Sequence, residues 1–197
     1  MVPLAERCSR RARLGRAWLS CLAVCSVVLA SVASPQPKTA SEYEIKAAFL
    51  YNFGKFVSWP ADEIKDSEKP FVLCILGQDP FGPLMDQMVL GKPVQDRQLA
   101  VRRPTTAAET NGCNILFISQ SEKERVSSVL QALDARSVLT VSEVDQFLEH
   151  GGIINFRNDQ NKIRFDINVT AAERGKLKIS SQLLKLARRV VGRPGGG

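Results

Sequence analysis

The sequence has a single histidine, His150, among its 197 residues. A transition-metal site needs several imidazole or thiolate ligands, and one histidine without spare cysteines supplies too few. A lone histidine near a helix end more often places a favourable charge against the helix dipole than it catalyses a reaction. The scarcity of histidine therefore excludes a metal site of this kind and argues against an imidazole-based catalytic centre.

The sequence also lacks a recognisable catalytic or nucleotide-binding motif. No nucleophile stands beside a base. Gly77 and Gly82 are spaced as in a phosphate loop, but Pro83 and Leu84 occupy the positions of the required Lys and Ser or Thr. We therefore predict no catalytic residue, metal or cofactor. An enzyme that uses His150 or Asp166 is the weakest of three functional hypotheses.

Net positive charge is small outside the amino terminus, although the net charge of the whole sequence is +7. Five arginines and one glutamate in residues 1–33 contribute +4 and leave +3 for the remainder. No interleaving of aromatic and basic residues accompanies this small excess. The composition therefore predicts no nucleic-acid partner.

Residues 17–33 form the one long uncharged run, and they follow the arginines directly. This layout is typical of a secretory signal peptide, with cleavage after Ala33. An uncleaved membrane anchor is one alternative; lipidation at Cys25 is disfavoured because the bulky Val24 precedes it. We predict a signal peptide at 1–33, a linker at 34–40, one domain at 41–191, a disordered tail at 192–197, and a periplasmic location.

Cleavage would remove three of the five cysteines and leave Cys74 and Cys113. In an oxidising compartment an even pair is a disulfide candidate, whereas in the cytosol these apolar-flanked cysteines would be buried thiols. The predicted export favours the disulfide.

The segment 41–60 predicts the principal helix. Ser41 and Glu44 form a capping box, and the helix is expected to end near Trp59, before Pro60. The main apolar stripe consists of Ile45, Ala48, Phe49, Asn52, Phe53, Phe56 and Val57. A second stripe contains Ala47, Leu50, Tyr51 and Gly54. We predict that Leu50, Tyr51, Gly54 and Trp59 contact a partner or a second copy of the chain; an intramolecular neighbour such as the last helix is the alternative.

The rest of the chain alternates strand and helix patterns. Residues 71–77 and 114–119 are continuous apolar runs typical of buried parallel strands, whereas residues 162–169 alternate as an antiparallel strand does. Short helices are predicted at 142–150, capped by Ser142, and from Ser180 or Ser181 through Val190. The expected fold class is α/β: a mostly parallel sheet with a C-terminal antiparallel hairpin and helices on both faces, in three layers.

Two binding hypotheses follow from this arrangement. Arg102, Arg103, Arg157 and Arg164 would form an anion site if their strands converge. A small periplasmic ligand would bind in a pocket at the strand ends of the open sheet. The second of these is the alternative to a role in protein binding.

Several separated motifs resemble the YfiR family of bacterial periplasmic proteins. They are KAAFLYNFGKFVSWP (46–60), FVLCILGQDPFG (71–82), GCNILFIS (112–119), GGIINF (151–156), RFDIN (164–168) and LKISSQLLKLAR (177–188). The resemblance extends over residues 41–191 with the motifs in the same order.

The resemblance implies a non-enzymatic repressor that binds the periplasmic domain of an inner-membrane diguanylate cyclase and lowers cyclic di-GMP. It also implies sequestration by an outer-membrane lipoprotein, and the second stripe of the first helix makes a homodimer plausible. Cys74 and Cys113 match one family disulfide, while a second has no counterpart because residues 145–152 contain no cysteine. Redox sensing is therefore in doubt for this chain.

Overall fold

The structure is a computed structural model that describes residues 38–61, 68–134 and 136–192, with side chains from residue 42 onward. The chain divides into the units Met1–Gln36 and Pro37–Gly197. The predicted signal peptide, the first part of the predicted linker and the tail from residue 193 lie outside the described residues.

The α-helices of the described residues are α1 Lys38–Phe56, α2 Pro83–Val89, α3 Val126–Ala132, α4 Val169–Arg174 and α5 Ser181–Leu186. The strands are β1 Val57–Ser58, β2 Phe71–Leu76, β3 Pro93–Val94, β4 Arg97–Arg102, β5 Ile115–Ile118, β6 Leu139–Ser142, β7 Ile154–Asp159, β8 Lys162–Asn168, β9 Lys178–Ile179 and β10 Arg189–Val191. Short 3-10 helices cover Ala107–Thr110 and Gln120–Arg125.

Eight strands form the main sheet in the order β10-β8-β7-β6-β5-β2-β4-β3. The central strands β4, β2, β5, β6 and β7 run parallel to one another, whereas β7 and β8 form an antiparallel hairpin and β3 pairs antiparallel with β4. A separate two-stranded antiparallel sheet pairs β1 with β9. The predicted α/β class, with its mostly parallel sheet and C-terminal hairpin, is confirmed.

Strand β2 is buried on both sides, which explains its continuous apolar sequence. Phe71, Leu73 and Ile75 join one core with α1, α2, α4 and α5. Cys74 and its same-face neighbours join a second core with α3. The helices thus cover both faces of the sheet, as predicted.

Helix α1 is fixed to its core by aromatic packing. Phe53 is fully buried, and its ring lies 5.8 Å from that of Phe156 on β7 and 5.1 Å from that of Phe165 on β8. Aromatic pairs at such distances contribute beyond their buried area. This packing anchors α1 across the antiparallel hairpin.

Three predicted boundaries are wrong. Helix α1 begins at Lys38, inside the predicted linker, because no glycine or proline separates Lys38 from Ser41. It ends at Phe56, because Val57 and Ser58 pair with β9. Residues 145–151 form turns rather than a helix, and Gln146 has a left-handed φ of 58° that interrupts helical geometry.

The carboxyl end of the chain also differs from the prediction. Helix α5 ends at Leu186, and Ser180 caps it by accepting a hydrogen bond from the Leu183 amide at 3.2 Å. Residues 189–191 then form β10, which pairs in parallel with β8. The sheet is therefore completed by β10 rather than by the hairpin.

Candidate functional site

The predicted disulfide is present between Cys74 on β2 and Cys113 just before β5. Their α-carbons are 5.8 Å apart, and both residues are buried in the core under α3. The separation is within the range that a disulfide bridges without backbone movement. The bond therefore ties two central strands together from inside the protein.

A first ion cluster lies at the carboxyl edge of the parallel strands. Arg103 follows β4, and its Nε donates to Asp79 Oδ2 at 2.7 Å while Nη2 donates to Asp86 Oδ2 at 2.6 Å. The hydrogen bond from Arg103 holds the pKa of Asp86 below its usual value, and the two carboxylates raise the pKa of Arg103. Arg103, a predicted anion contact, is thus matched by carboxylates of its own chain.

A second cluster joins α1 to the same edge. Lys46, whose side chain is 4% exposed, pairs with Glu143 after β6 and with Glu42 at 2.6 Å. The Tyr43 hydroxyl donates to Glu143 Oε1 at 3.0 Å. Burial, with the neighbouring Glu143 charge, raises the pKa of Tyr43 far above its ordinary value. A lysine on the buried face of α1 is therefore tolerated because two carboxylates pair with its ammonium group.

A third cluster surrounds Asp166 on β8, which is fully buried. Arg188 binds its carboxylate with both Nε at 2.9 Å and Nη2 at 2.6 Å. Arg189 Nε adds a contact of 3.3 Å. The Asp166 carboxylate raises the pKa of Arg188 by accepting these hydrogen bonds. This bidentate pair holds the segment before β10 against β8.

The predicted anion site is not assembled. Arg157 and Arg164 lie directly opposite each other on β7 and β8, but Arg157 Nη1 is engaged by Asp145 Oδ1 at 2.7 Å. Arg102 donates to the carbonyl oxygens of Asn111 and Glu109. The strands of the two groups are separated by β2, β5 and β6, so Arg102 and Arg103 do not converge with Arg157 and Arg164.

The predicted strand-end pocket would lie where the connections after β2 and β5 diverge. Gly77 there has a φ of +90°, and a β-carbon on it would lie 2.5 Å from Ser121 Oγ. The same hydroxyl accepts a hydrogen bond from the Gln78 amide at 2.9 Å. Ser121 and Glu122 therefore fill this position. A nearby cavity of about 250 Å³ is lined by the paired Glu122 and Arg125.

The predicted partner contacts on α1 are mostly internal. Leu50 is fully buried, Trp59 is 5% exposed, and Gly54 lies against Val94. These three residues are not available to a partner because they belong to the core of this chain. Tyr51 is partly exposed. The buried face of α1 thus combines residues of both predicted stripes: Ala47, Leu50 and Gly54 from the second, and Phe53 from the main one. Ile45 of the main stripe is 44% exposed.

His150 lies in a turn at the opposite, amino edge of the sheet. Its Nδ1 lies 3.0 Å from Ser127 Oγ on α3. Within the part of the chain that the structure describes, no group of three or more His, Cys, Asp or Glu residues is arranged to hold a metal ion. Among the same residues, no helix is both long enough and apolar enough to cross a membrane.

Sequence reasoning missed Lys46, Glu143 and the pair of Asp166 with Arg188. Only the spacing of Glu42 and Lys46, four residues apart on one helix, offered a local signal. The other partners come from distant parts of the chain.

These features define an α/β protein with a mostly parallel sheet, covered by helices on both faces, whose carboxyl edge is occupied by internal ion pairs. The chain belongs to the YfiR/HmsC-like family, which matches residues 43–188. This family is periplasmic, is regulatory rather than catalytic, and is associated with the regulation of diguanylate cyclases.

One solved structure similar to this chain is the crystal structure of a conserved domain protein from Vibrio cholerae O1 biovar eltor str. N16961. It is 10% identical with a TM-score of 0.48, and the alignment covers 74% of this chain and 60% of that chain. No curated protein matches this chain.

Proposed function

We propose that this chain is a periplasmic protein that binds the periplasmic domain of an inner-membrane diguanylate cyclase and restrains cyclic di-GMP synthesis. The observation that carries this proposal is the family match over residues 43–188. It extends over nearly all of the described residues, so the whole folded unit is the proposed regulator.

The charges at the carboxyl edge favour binding over catalysis. Asp79 and Asp86 are neutralised by Arg103, Glu143 by Lys46, and buried Asp166 by Arg188. A general base must be able to approach a substrate proton, and carboxylates held in internal ion pairs are poorly suited to that role. These groups instead stabilise a rigid body that can present a surface.

The predicted signal peptide and the disulfide both support the proposed location. Structural disulfides form and persist in oxidising compartments such as the periplasm. The bond between Cys74 and Cys113 lies in the core, where it would stabilise the exported domain.

We place the contact with the cyclase on the outer face of α1. Ile45 is 44% exposed, and Ala48 and Asn52 are partly exposed at the helical spacing that makes one stripe. The same stripe is available for a homodimer or for an outer-membrane lipoprotein that sequesters the protein. Whichever partner binds, repression requires tighter binding to the inactive state of the cyclase than to its active state.

The test combines deletion of the gene with complementation. We expect deletion to raise cyclic di-GMP and the wild-type gene to restore it, and we expect the purified chain to capture the periplasmic domain of the cyclase. Ile45→Glu should abolish capture because it places a charge in the apolar contact. Leu90→Glu is the matched control, since Leu90 is 81% exposed and follows α2 rather than belonging to the stripe on α1.

Unchanged cyclic di-GMP after deletion, together with no capture of any diguanylate cyclase, would refute the proposal. Equal loss of capture by both variants would retain the function and reject the α1 surface. Circular dichroism of each variant would verify that the fold is intact.

A further inference from the structure

A cleft of about 460 Å³ opens at the amino edge of β6, opposite the edge that carries the ion clusters. Its walls come from the end of α3, the turn at His150 and Gly151, and the end of α4. A volume of this size is typical of sites for small organic molecules.

Two guanidinium groups line this cleft without a carboxylate partner. Arg136 Nη1 donates to the neutral amide oxygen of Asn111 at 2.8 Å. Arg174 has no hydrogen bond or ion pair with any residue that the structure describes. Asp134 also lines the cleft, but no ion pair joins it to either arginine. The two arginines and Asp134 together carry a net formal charge of +1.

The backbone brings the two arginines to one cleft through a close approach at Gly175. A β-carbon at Gly175 would lie 3.0 Å from the carbonyl oxygen of Arg136, so a larger residue would force the two segments apart. The guanidinium of Arg174 extends toward Gly151, where a β-carbon would lie 3.9 Å from Nη1. The close approach at Gly175 therefore fixes α4 against the segment before β6, and these two elements form part of the cleft wall.

The remaining lining mixes apolar side chains with the polar groups of Gln131, Thr140 and His150. Leu133, Val138 and Ile153 are each at least nine-tenths buried and contribute the hydrophobic part of the wall. Small-molecule sites combine such apolar walls with a few convergent polar groups that orient the ligand. His150 adds an imidazole whose Nδ1 is oriented by Ser127.

We propose that this cleft binds a small organic monoanion, with its carboxylate against Arg136 and Arg174 and its apolar body against Leu133, Val138 and Ile153. Guanidinium groups suit a planar carboxylate because they donate paired hydrogen bonds to it. The net charge of +1 matches one negative charge, and Asp134 disfavours a phosphate dianion. This site is independent of the proposed action on a cyclase.

Calorimetric titration of the full chain with three probes tests the class of ligand. Phenylacetate combines a carboxylate with an apolar ring, 2-phenylethanol has the ring without the charge, and inorganic phosphate has the charge without the ring. We expect saturable binding of phenylacetate, at least about tenfold tighter than that of either other probe. Absence of saturable phenylacetate binding, or tighter binding of phosphate or 2-phenylethanol, would overturn the proposal.

Variants locate the site. We expect Arg174→Met to weaken phenylacetate binding about tenfold, because it removes a charge-assisted hydrogen bond. Asp134→Asn should strengthen binding, because it removes the opposing charge. Arg164→Met is the control, since this exposed arginine lies on β8 outside the cleft. Equal weakening by Arg164→Met, or no effect of Arg174→Met, would contradict the assignment; urea unfolding would check that each variant is folded.

Discussion

At the carboxyl edge of the parallel strands, charged side chains from separate elements pair with one another, whereas at the amino edge of β6 two arginines face a cleft. Arg103 lies between two carboxylates within 2.7 Å, while Arg174 has no ionic partner among the described residues. Open α/β sheets commonly bind ligands at the carboxyl edge. In this chain the ion pairs at the carboxyl edge stabilise the fold, whereas the two arginines at the amino edge have no carboxylate partner among the described residues.

The difference shows that the ionic partners of a charged side chain matter more than its depth of burial. Lys46 is more deeply buried than Arg174, yet it is neutralised by Glu42 and Glu143. Arg174, by contrast, is exposed, and its positive charge is available to a ligand in the cleft. Substitutions at the carboxyl edge should therefore lower the stability of the fold, whereas substitutions at the amino edge should change ligand binding.

The largest expected effect comes from the disulfide, which lies in the core and should stabilise the whole fold rather than one edge of the sheet. Replacing Cys74 and Cys113 with alanine should lower the free energy of unfolding by about 4 kcal/mol, the chain-entropy value for partners 39 residues apart. Urea unfolding of the oxidised protein and the double variant measures this difference. A loss below about 1 kcal/mol would mean that the bond adds little to strand pairing already in place.

The next effect tests whether the carboxyl edge is truly a stabilising network. Arg188→Met removes the bidentate partner of buried Asp166, and we expect a loss of about 2 kcal/mol, because Arg189 still contacts the carboxylate at 3.3 Å. Arg164→Met is the matched control on β8, with an expected change within about 0.5 kcal/mol. Equal losses in the two variants would remove the distinction between paired and unpaired arginines.

A smaller effect is expected at Arg103, whose cluster is more exposed. Arg103→Met should lower stability by about 1 kcal/mol at neutral pH and less at high salt, because Asp86 is 51% exposed and screened. Arg103 lowers the folded-state pKa of Asp86. That contribution is present above the unfolded pKa, near 4, and is lost as the pH falls through the folded pKa.

Unfolding curves from neutral to acidic pH would follow this loss. In Arg103→Met the corresponding part of the acid dependence should disappear. A variant with the same pH profile as the wild type would show that the cluster contributes nothing through Asp86.

The fold was predictable because its signals are local. The continuous apolar run of β2 and the alternation of β8 each report burial within a few neighbouring residues. The ion clusters were not predictable, because Arg188 and Asp166 are 22 residues apart and Lys46 and Glu143 are 97 apart. No periodicity connects residues at such separations.

The buried face of α1 was predicted only in part, for a related reason. Both of its stripes contain apolar residues, and the buried face takes Ala47 and Leu50 from one and Phe53 from the other. The buried face also includes Lys46, beside Ala47 and Leu50. A charged lysine at this position is the pattern of a helix face that points to solvent. Only the distant Glu143 makes burial of that lysine favourable.

The smallest expected effect on stability is at Arg174, and it tests the comparison most directly. Arg174→Met removes a full charge, as Arg103→Met does, but no ionic partner among the described residues is lost. We therefore expect the free energy of unfolding to change by less than about 0.5 kcal/mol, with little dependence on salt. Urea unfolding of both variants in parallel measures the difference. A loss at Arg174 equal to that at Arg103 would mean that its charge already serves the fold, and the contrast between the two edges would fail.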